Sequence, residues 1–210
     1  MALFLDSADL EDARIAGELG FVVGATTNPA LMAKAGHTEP ATALKALCEA
    51  LPGPVFHQLT KRDVAGMRAE AKEFMGLASN LGLKIMCTLS GLQFAAEISG
   101  DVTVAITGVF APAQAYLAAE AGASYVIPYV NRLTRYAGAG PSVIRDMADI
   151  LFVSDTELLA AGIKTPAEAV ETLLAGAEHV SLPLDVIQSM AENELTQQAF
   201  AAFDTYLSKG

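Results

Sequence analysis

The chain is short of charge, and shorter still of positive charge. Only 18% of its 210 residues are Asp, Glu, Lys or Arg, and 13 basic residues stand against 24 acidic ones, for a net charge of -11. So acidic a surface argues against a nucleic-acid partner, because phosphate backbones need clustered basic charge. An anionic small substrate stays compatible, provided that a local basic pocket works against the overall field. Cysteine is scarce too: Cys48 and Cys87 allow at most one disulfide and no thiolate metal centre, and read as buried free thiols in a reducing compartment. His37, His57 and His179 show no ligand spacing, so neither metal nor cofactor is expected. Long apolar runs are missing: none approaches the ~20 residues that span a bilayer. The opening Met-Ala-Leu-Phe-Leu-Asp has no basic segment followed by a long apolar one, so no signal peptide is expected. What is plentiful is apolar material, 52% of the residues at a mean hydropathy of +0.38. That implies a large core with an apolar subunit interface, in a cytoplasmic protein.

Short apolar runs alternate with longer helix-like stretches. Strands are expected at residues 2–5, 21–25, 54–59, 83–87, 102–106, 125–129, 157–161 and 179–182. Ser7 reads as the cap of the first helix, with Asp9 and Glu11 in its first turn where acids suit the macrodipole. Helices are expected at about 63–79, 92–98 and 111–121, then near Pro141, after Thr165-Pro166, and in a tail near 194–207. Strands that are apolar along their whole length, each followed by a helix, mean a parallel sheet covered on both faces. Eight such units without a composition break predict one domain over residues 1–210, a (β/α)₈ TIM barrel with an extra C-terminal helix. An open doubly wound sheet would instead put a glycine-rich phosphate loop after the first strand. Asp6-Ser7-Ala8-Asp9 stands there, without glycine.

Active sites of such barrels form at the C-terminal ends of the strands. The polar residues expected there are Asp6, Thr26-Thr27-Asn28-Pro29, Gln58, Lys84, Thr107, Tyr129, Asn131 and Arg132. Together they suit a carbonyl and several hydroxyls. Lys84 lies in Leu83-Lys84-Ile85-Met86-Cys87. The residues alone leave two readings of it open: a stem that snorkels to solvent from the strand start, or a buried amine made nucleophilic by desolvation. Asp6 could equally cap the next helix, Gln58 could be a satisfied core amide, and Tyr129 could be core with a wet hydroxyl. By alternation His57 faces the helices rather than the barrel interior. Gly138-Ala139-Gly140-Pro141-Ser142 leads into a helix and reads as a turn or as an anion site at that helix's N-terminus.

Several segments together resemble the transaldolase family. They are Phe4-Leu5-Asp6 and Ala25-Thr26-Thr27-Asn28-Pro29; Lys84 with Thr88 and Gly91-Leu92; and Thr107, Phe110 and Gln114. Pro128-Tyr129-Val130-Asn131-Arg132, Lys164-Thr165-Pro166, Leu174-Ala175-Gly176 and Leu182-Pro183-Leu184-Asp185 complete the set. Gln58 and Tyr129 resemble the fructose-6-phosphate aldolase branch, whereas true transaldolases carry glutamate and commonly phenylalanine at those positions. The resemblance implies a class I aldolase of carbohydrate metabolism, of the pentose phosphate kind. Lys84 would form a Schiff base with a dihydroxyacetone-type ketone, and an aldehyde such as glyceraldehyde 3-phosphate would be the acceptor. It implies proton transfer by Tyr129 with a water held by Gln58 and Thr107, donor contacts from Asp6, Thr26 and Asn28, and acceptor phosphate contacts from Arg132, Lys164 and the position of Gly162. It also implies a homodecamer of two pentamers, with the C-terminal helix reaching a neighbour. The alternatives are a transaldolase using the same lysine and a non-catalytic sugar-phosphate binder, which would have no use for a buried amine. Three departures from the family stand out: Met86 in place of proline, Ile127 in place of a small residue that bulks the pocket floor, and Gly162 in place of a phosphate-binding serine.

Overall fold

The computed structural model describes residues 1–207. Eight strands, β1 (Ala2–Asp6), β2 (Val22–Thr26), β3 (Val55–Gln58), β4 (Leu81–Met86), β5 (Val104–Val109), β6 (Tyr125–Pro128), β7 (Glu157–Ala160) and β8 (His179–Leu182), close into a barrel in chain order. Every neighbouring pair is parallel, including β1 with β8. The helices alternate with them: α1 (Leu10–Leu19), α2 (Pro29–Lys34), α3 (Pro40–Ala50), α4 (Val64–Phe74), α5 (Leu89–Ile98), α6 (Pro112–Glu120), α7 (Val130–Arg132), α8 (Gly140–Leu151), α9 (Pro166–Leu174), α10 (Leu184–Met190) and α11 (Glu194–Leu207). The fold is a (β/α)₈ barrel with an extra C-terminal helix.

Several boundaries differ from the sequence reading, for local reasons. The first helix starts at Leu10, and its cap is Asp9, not Ser7: the Asp9 carboxylate accepts the N–H groups of Glu11 and Asp12 at 2.8 and 3.2 Å. Ser7 acts one step earlier, accepting the Asp9 N–H and donating to the Asp12 carboxylate at 2.7 Å. The fourth strand stops at Met86 because the Thr88 N–H turns back to the Met86 carbonyl at 2.8 Å, which leaves Cys87 outside it. The fifth strand starts at Val104, since the N–H groups of Asp101 and Val102 both close on the Ile98 carbonyl. α4 ends at Phe74, where Met75 turns extended and Gly76 takes a φ of 84°. Two helices, α2 and α3, fill the stretch between β2 and β3 that the periodicity leaves unassigned, each with proline in its first turn.

Strand alternation sorts the side chains into an outer shell under the helices and a barrel interior. Phe4, Phe56, Tyr125 and His179 fill the N-terminal end of the interior, with ring centroids 5.4 Å apart for Phe56 and Tyr125 and 6.1 Å for Phe4 and His179. Those rings demand bare backbone opposite them. A Cβ on Gly82 would lie 2.7 Å from the Phe56 ring, and one on Gly24 would lie 2.9 Å from the Phe4 ring, as well as 2.1 Å from the Pro54 carbonyl. Ala105, Ile127 and Leu159 form the next level. The lower half of the interior is packed mostly by rings and aliphatics, with His179 beside the Glu157 carboxylate at 3.2 Å, and the larger set of polar side chains gathers at the C-terminal mouth. His57 faces outward as expected, its ring 4.0 Å from that of Phe74 on α4, and burial pulls its pKa down to about 4.

Candidate active site

Strand register brings the mouth residues together. Asp6 is paired with Thr26, Gln58 with Lys84, Met86 with Thr107, and Thr107 with Ile127. Asp6, Thr26, Asn28, Gln58, Lys84, Tyr129, Arg132, Gly162 and Lys164 all line one cavity of about 590 Å³. Thr107 is buried behind that wall and reaches it through Tyr129, whose phenol oxygen accepts the threonine hydroxyl at 2.9 Å. Every residue singled out from the sequence as catalytic or substrate-binding is therefore at this mouth. The loop at Gly138–Ser142 contributes nothing to the cavity wall.

Lys84 is 3% exposed, so the snorkelling reading fails. No hydrogen bond or ion pair to its amine is found among the described residues. Desolvation lowers its pKa to about 8, against a smaller opposing pull from the Asp6 carboxylate. Asp6 is itself shifted upward, first by burial, with Lys84, the Thr26 hydroxyl and Lys164 pulling the other way. The result is an amine that is free in part near neutral pH, beside a carboxylate able to answer a cation formed on it.

The other polar side chains are held in place by their neighbours. Thr26 donates to Asp6 at 3.1 Å, and its oxygen lies 2.7 Å from the Ser181 hydroxyl. Because the Thr26 proton goes to Asp6, Ser181 is the donor of that second bond. Ser181 is fully buried on β8 and was not foreseen; only its place two residues after His179, on the inward register, could have signalled it. Asn28 caps α2, accepting the Leu31 N–H at 3.0 Å, which leaves its own N–H₂ group for a ligand. Thr107 spends its proton on the Tyr129 oxygen, so the phenol proton remains available. The Tyr129 ring is gripped by Phe110 edge-on at 5.7 Å and by the Arg132 guanidinium 5.3 Å from its centroid. The Gln58 amide nitrogen sits 3.7 Å from the Met86 sulfur, so the residue that replaces the family's proline contacts the amide beside the lysine.

The cavity wall carries three cationic side chains, Lys84, Arg132 and Lys164, and one carboxylate, Asp6. A chain of net charge -11 thus presents a locally positive pocket. Among the described residues no three His, Cys, Asp or Glu side chains gather as a metal site would need.

Residues 3–209 match the transaldolase/fructose-6-phosphate aldolase family. The chain belongs to that family. It is 36% identical over 207 residues to a probable transaldolase of Exiguobacterium sibiricum, covering 97% of this chain and 96% of the relative. It is 35% identical over 207 residues to one of Desulfosudis oleivorans, with the same coverage, and 36% identical over 206 residues to one of Symbiobacterium thermophilum, covering 97% and 95%. Among solved structures, inosine 5'-monophosphate dehydrogenase from Legionella pneumophila superposes with a TM-score of 0.62 at 16% identity, over 89% of this chain and 58% of that one; this likeness speaks for the barrel alone. The protein is an enzyme of the transaldolase type, a class I aldolase or a transaldolase.

Proposed function

We propose that the protein is a class I aldolase that makes or cleaves a carbon–carbon bond between a dihydroxyacetone-type ketone and an aldehyde such as glyceraldehyde 3-phosphate. The observation that carries this reading is Lys84: a buried amine with a lowered pKa and, among the described residues, no hydrogen-bonding partner, at the bottom of a polar mouth. Its amine attacks the ketone carbon, and loss of water gives an iminium. Tyr129, whose proton is left free by Thr107, and a water beside Gln58 move the proton taken from the adjacent carbon. The enamine that results attacks the aldehyde carbon, and hydrolysis returns the amine. Asp6, held by Thr26, and Asn28 orient the donor hydroxyls, while Arg132 and Lys164 at the rim suit an acceptor phosphate. Borohydride reduction in the presence of ketone donors, read by intact mass, tests the covalent step: an adduct located on Lys84 supports it, and an adduct elsewhere ends it.

A second reading, transfer of a dihydroxyacetone unit between sugar phosphates, is equally compatible with relatives named probable transaldolases. The neutral Gln58 speaks for the aldolase by resemblance, because true transaldolases carry glutamate at that position. Fructose 6-phosphate alone separates them: an aldolase releases free dihydroxyacetone, and a transaldolase waits for an acceptor sugar.

The same reading places the enzyme in carbohydrate metabolism of the cytoplasm, as a homodecamer. No helix among the described residues is long and apolar enough to cross a membrane. On α11, Leu195, Phe200 and Phe203 are largely exposed, which supports docking of that helix on a neighbouring subunit. Light scattering after size exclusion gives the subunit count directly.

A further inference from the structure

The loops that carry Arg132 and Lys164 are tied together by a residue outside the cavity. The first follows β6 and the second follows β7. The strands prolong their pairing there through the Tyr129–Ala161 bridge, with the Val130 N–H on the Ala161 carbonyl at 2.9 Å and the Asn131 N–H on the Gly162 carbonyl at 3.4 Å. Beyond that point no backbone pairing between them is found among the described residues. The link passes instead to the half-buried Glu168, in the first turn of α9. One carboxylate oxygen accepts the Asn131 side-chain N–H at 2.9 Å, and the other accepts the backbone N–H of Lys164 at 2.7 Å. Thr165 fixes Glu168 in turn, its hydroxyl accepting the Glu168 N–H at 3.1 Å. Each carboxylate oxygen is thus committed to one loop, next to one of the two rim cations.

We propose that Glu168 is a positioning residue for the acceptor phosphate: its carboxylate clasps the loops after β6 and β7 and so sets the separation of Arg132 and Lys164. This rests on the reading of those two side chains as the phosphate site. Its direction is opposite to that of simple electrostatics. Removing a negative charge near a phosphate site strengthens anion binding, whereas breaking the clasp weakens it. Glu168→Gln is nearly isosteric, but it offers one acceptor oxygen to two donors and so must release one loop.

The test measures kcat/KM for glyceraldehyde 3-phosphate and for glyceraldehyde, with the same ketone donor, in the wild type and in Glu168→Gln. The expected result is a fall of about three- to tenfold in the preference for the phosphorylated acceptor, the size of one hydrogen bond, carried mainly by KM. Activity on glyceraldehyde and the borohydride-trapped donor adduct stay as in the wild type, which shows that the barrel is intact. A preference that rises or stays constant in Glu168→Gln overturns the proposal, as does an equal loss on both acceptors. A wild type that forms the adduct but shows no preference for the phosphate overturns the phosphate site itself, and this inference with it.

Discussion

Replacing Lys84 by methionine should abolish the covalent adduct and yet make the protein more stable at neutral pH. The folded protein holds the Lys84 proton only up to about pH 8, the unfolded chain up to its ordinary 10.5. Between those values the unfolded chain binds more protons, so stability rises with pH; below about pH 8 the whole cost of burying the ammonium is present. A shift of that size corresponds to about 3 kcal/mol. Methionine keeps most of the stem and removes the charge. Against the gain stands Asp6, which loses the attraction of the lysine while still buried in the same mouth. A net stabilisation of about 1–3 kcal/mol at pH 7 is therefore expected, a shift of several degrees for a chain of this length.

Urea unfolding of the wild type and of Lys84→Met, at pH 7 and again near pH 10, reads this directly. The gain should be full at pH 7 and largely gone near pH 10. A variant less stable at pH 7, or a gain that does not shrink with pH, would refute the claim that the amine is held against a desolvation cost. The chemistry gives an independent check. At pH 7 a pKa of about 8 leaves about one amine in eleven free, against about one in three thousand at 10.5. Trapping rates on the wild type should accordingly rise with pH and level off near 8, not 10.5.

Gln58→Glu places a carboxylate opposite Lys84 in the strand register, so the levelling point should move upward and product balance should shift towards transfer. A wild type that already transfers with no release of dihydroxyacetone would refute the aldolase assignment. Tyr129→Phe removes the phenol that accepts from Thr107, and should lower kcat by about a hundredfold or more while acceptor KM changes little. Gly162→Ser should raise the phosphate advantage, by up to about ten- to a hundredfold for one bond to a charged group. Gly162 sits at a φ of 69°, so serine should also cost about 1–2 kcal/mol of stability. Gly162→Ala should show that cost without the gain, and a serine variant with an unchanged acceptor ratio would mean that residue 162 does not face the phosphate.

The barrel was legible because its evidence is periodic and repeated. Eight apolar runs with helices between them leave few alternatives, and β8 falls on the residues the pattern indicates. The misplaced ends are those decided by single hydrogen bonds, such as the Asp9 cap and the turn at Thr88, which hydrophobicity does not encode. In the site, the resemblance located residues without saying what holds them. Thr88, Gln114 and Thr165 belong to the family's motifs because they bind helix starts or loops, accepting the N–H groups of Gly91, Phe110 and Glu168. The two readings of Lys84 could not be separated in sequence, since burial on the inner face depends on which rings fill the barrel below. Ser181 and Glu168 were missed because each acts through another residue, and their partners lie on distant parts of the chain.

The position of Asp6 resolves a tension in the chemistry of this mouth. On the proposed reading, desolvation frees the Lys84 amine, but the same desolvation penalises the iminium that the amine forms, which must keep its N–H proton to acidify the adjacent carbon. A counter-charge is needed that does not restore the ammonium in the resting enzyme. Asp6 meets both demands because burial dominates both shifts: Lys84 stays low despite the carboxylate, and Asp6 stays high despite the lysine. The Ser181–Thr26–Asp6 chain then holds the carboxylate in the cavity wall that it shares with Lys84, so its field falls on the amine nitrogen. The exposed cations, Lys164 and the Arg132 that stacks on Tyr129, are left to the rim, where with Lys84 they outnumber the one carboxylate found in this cavity wall.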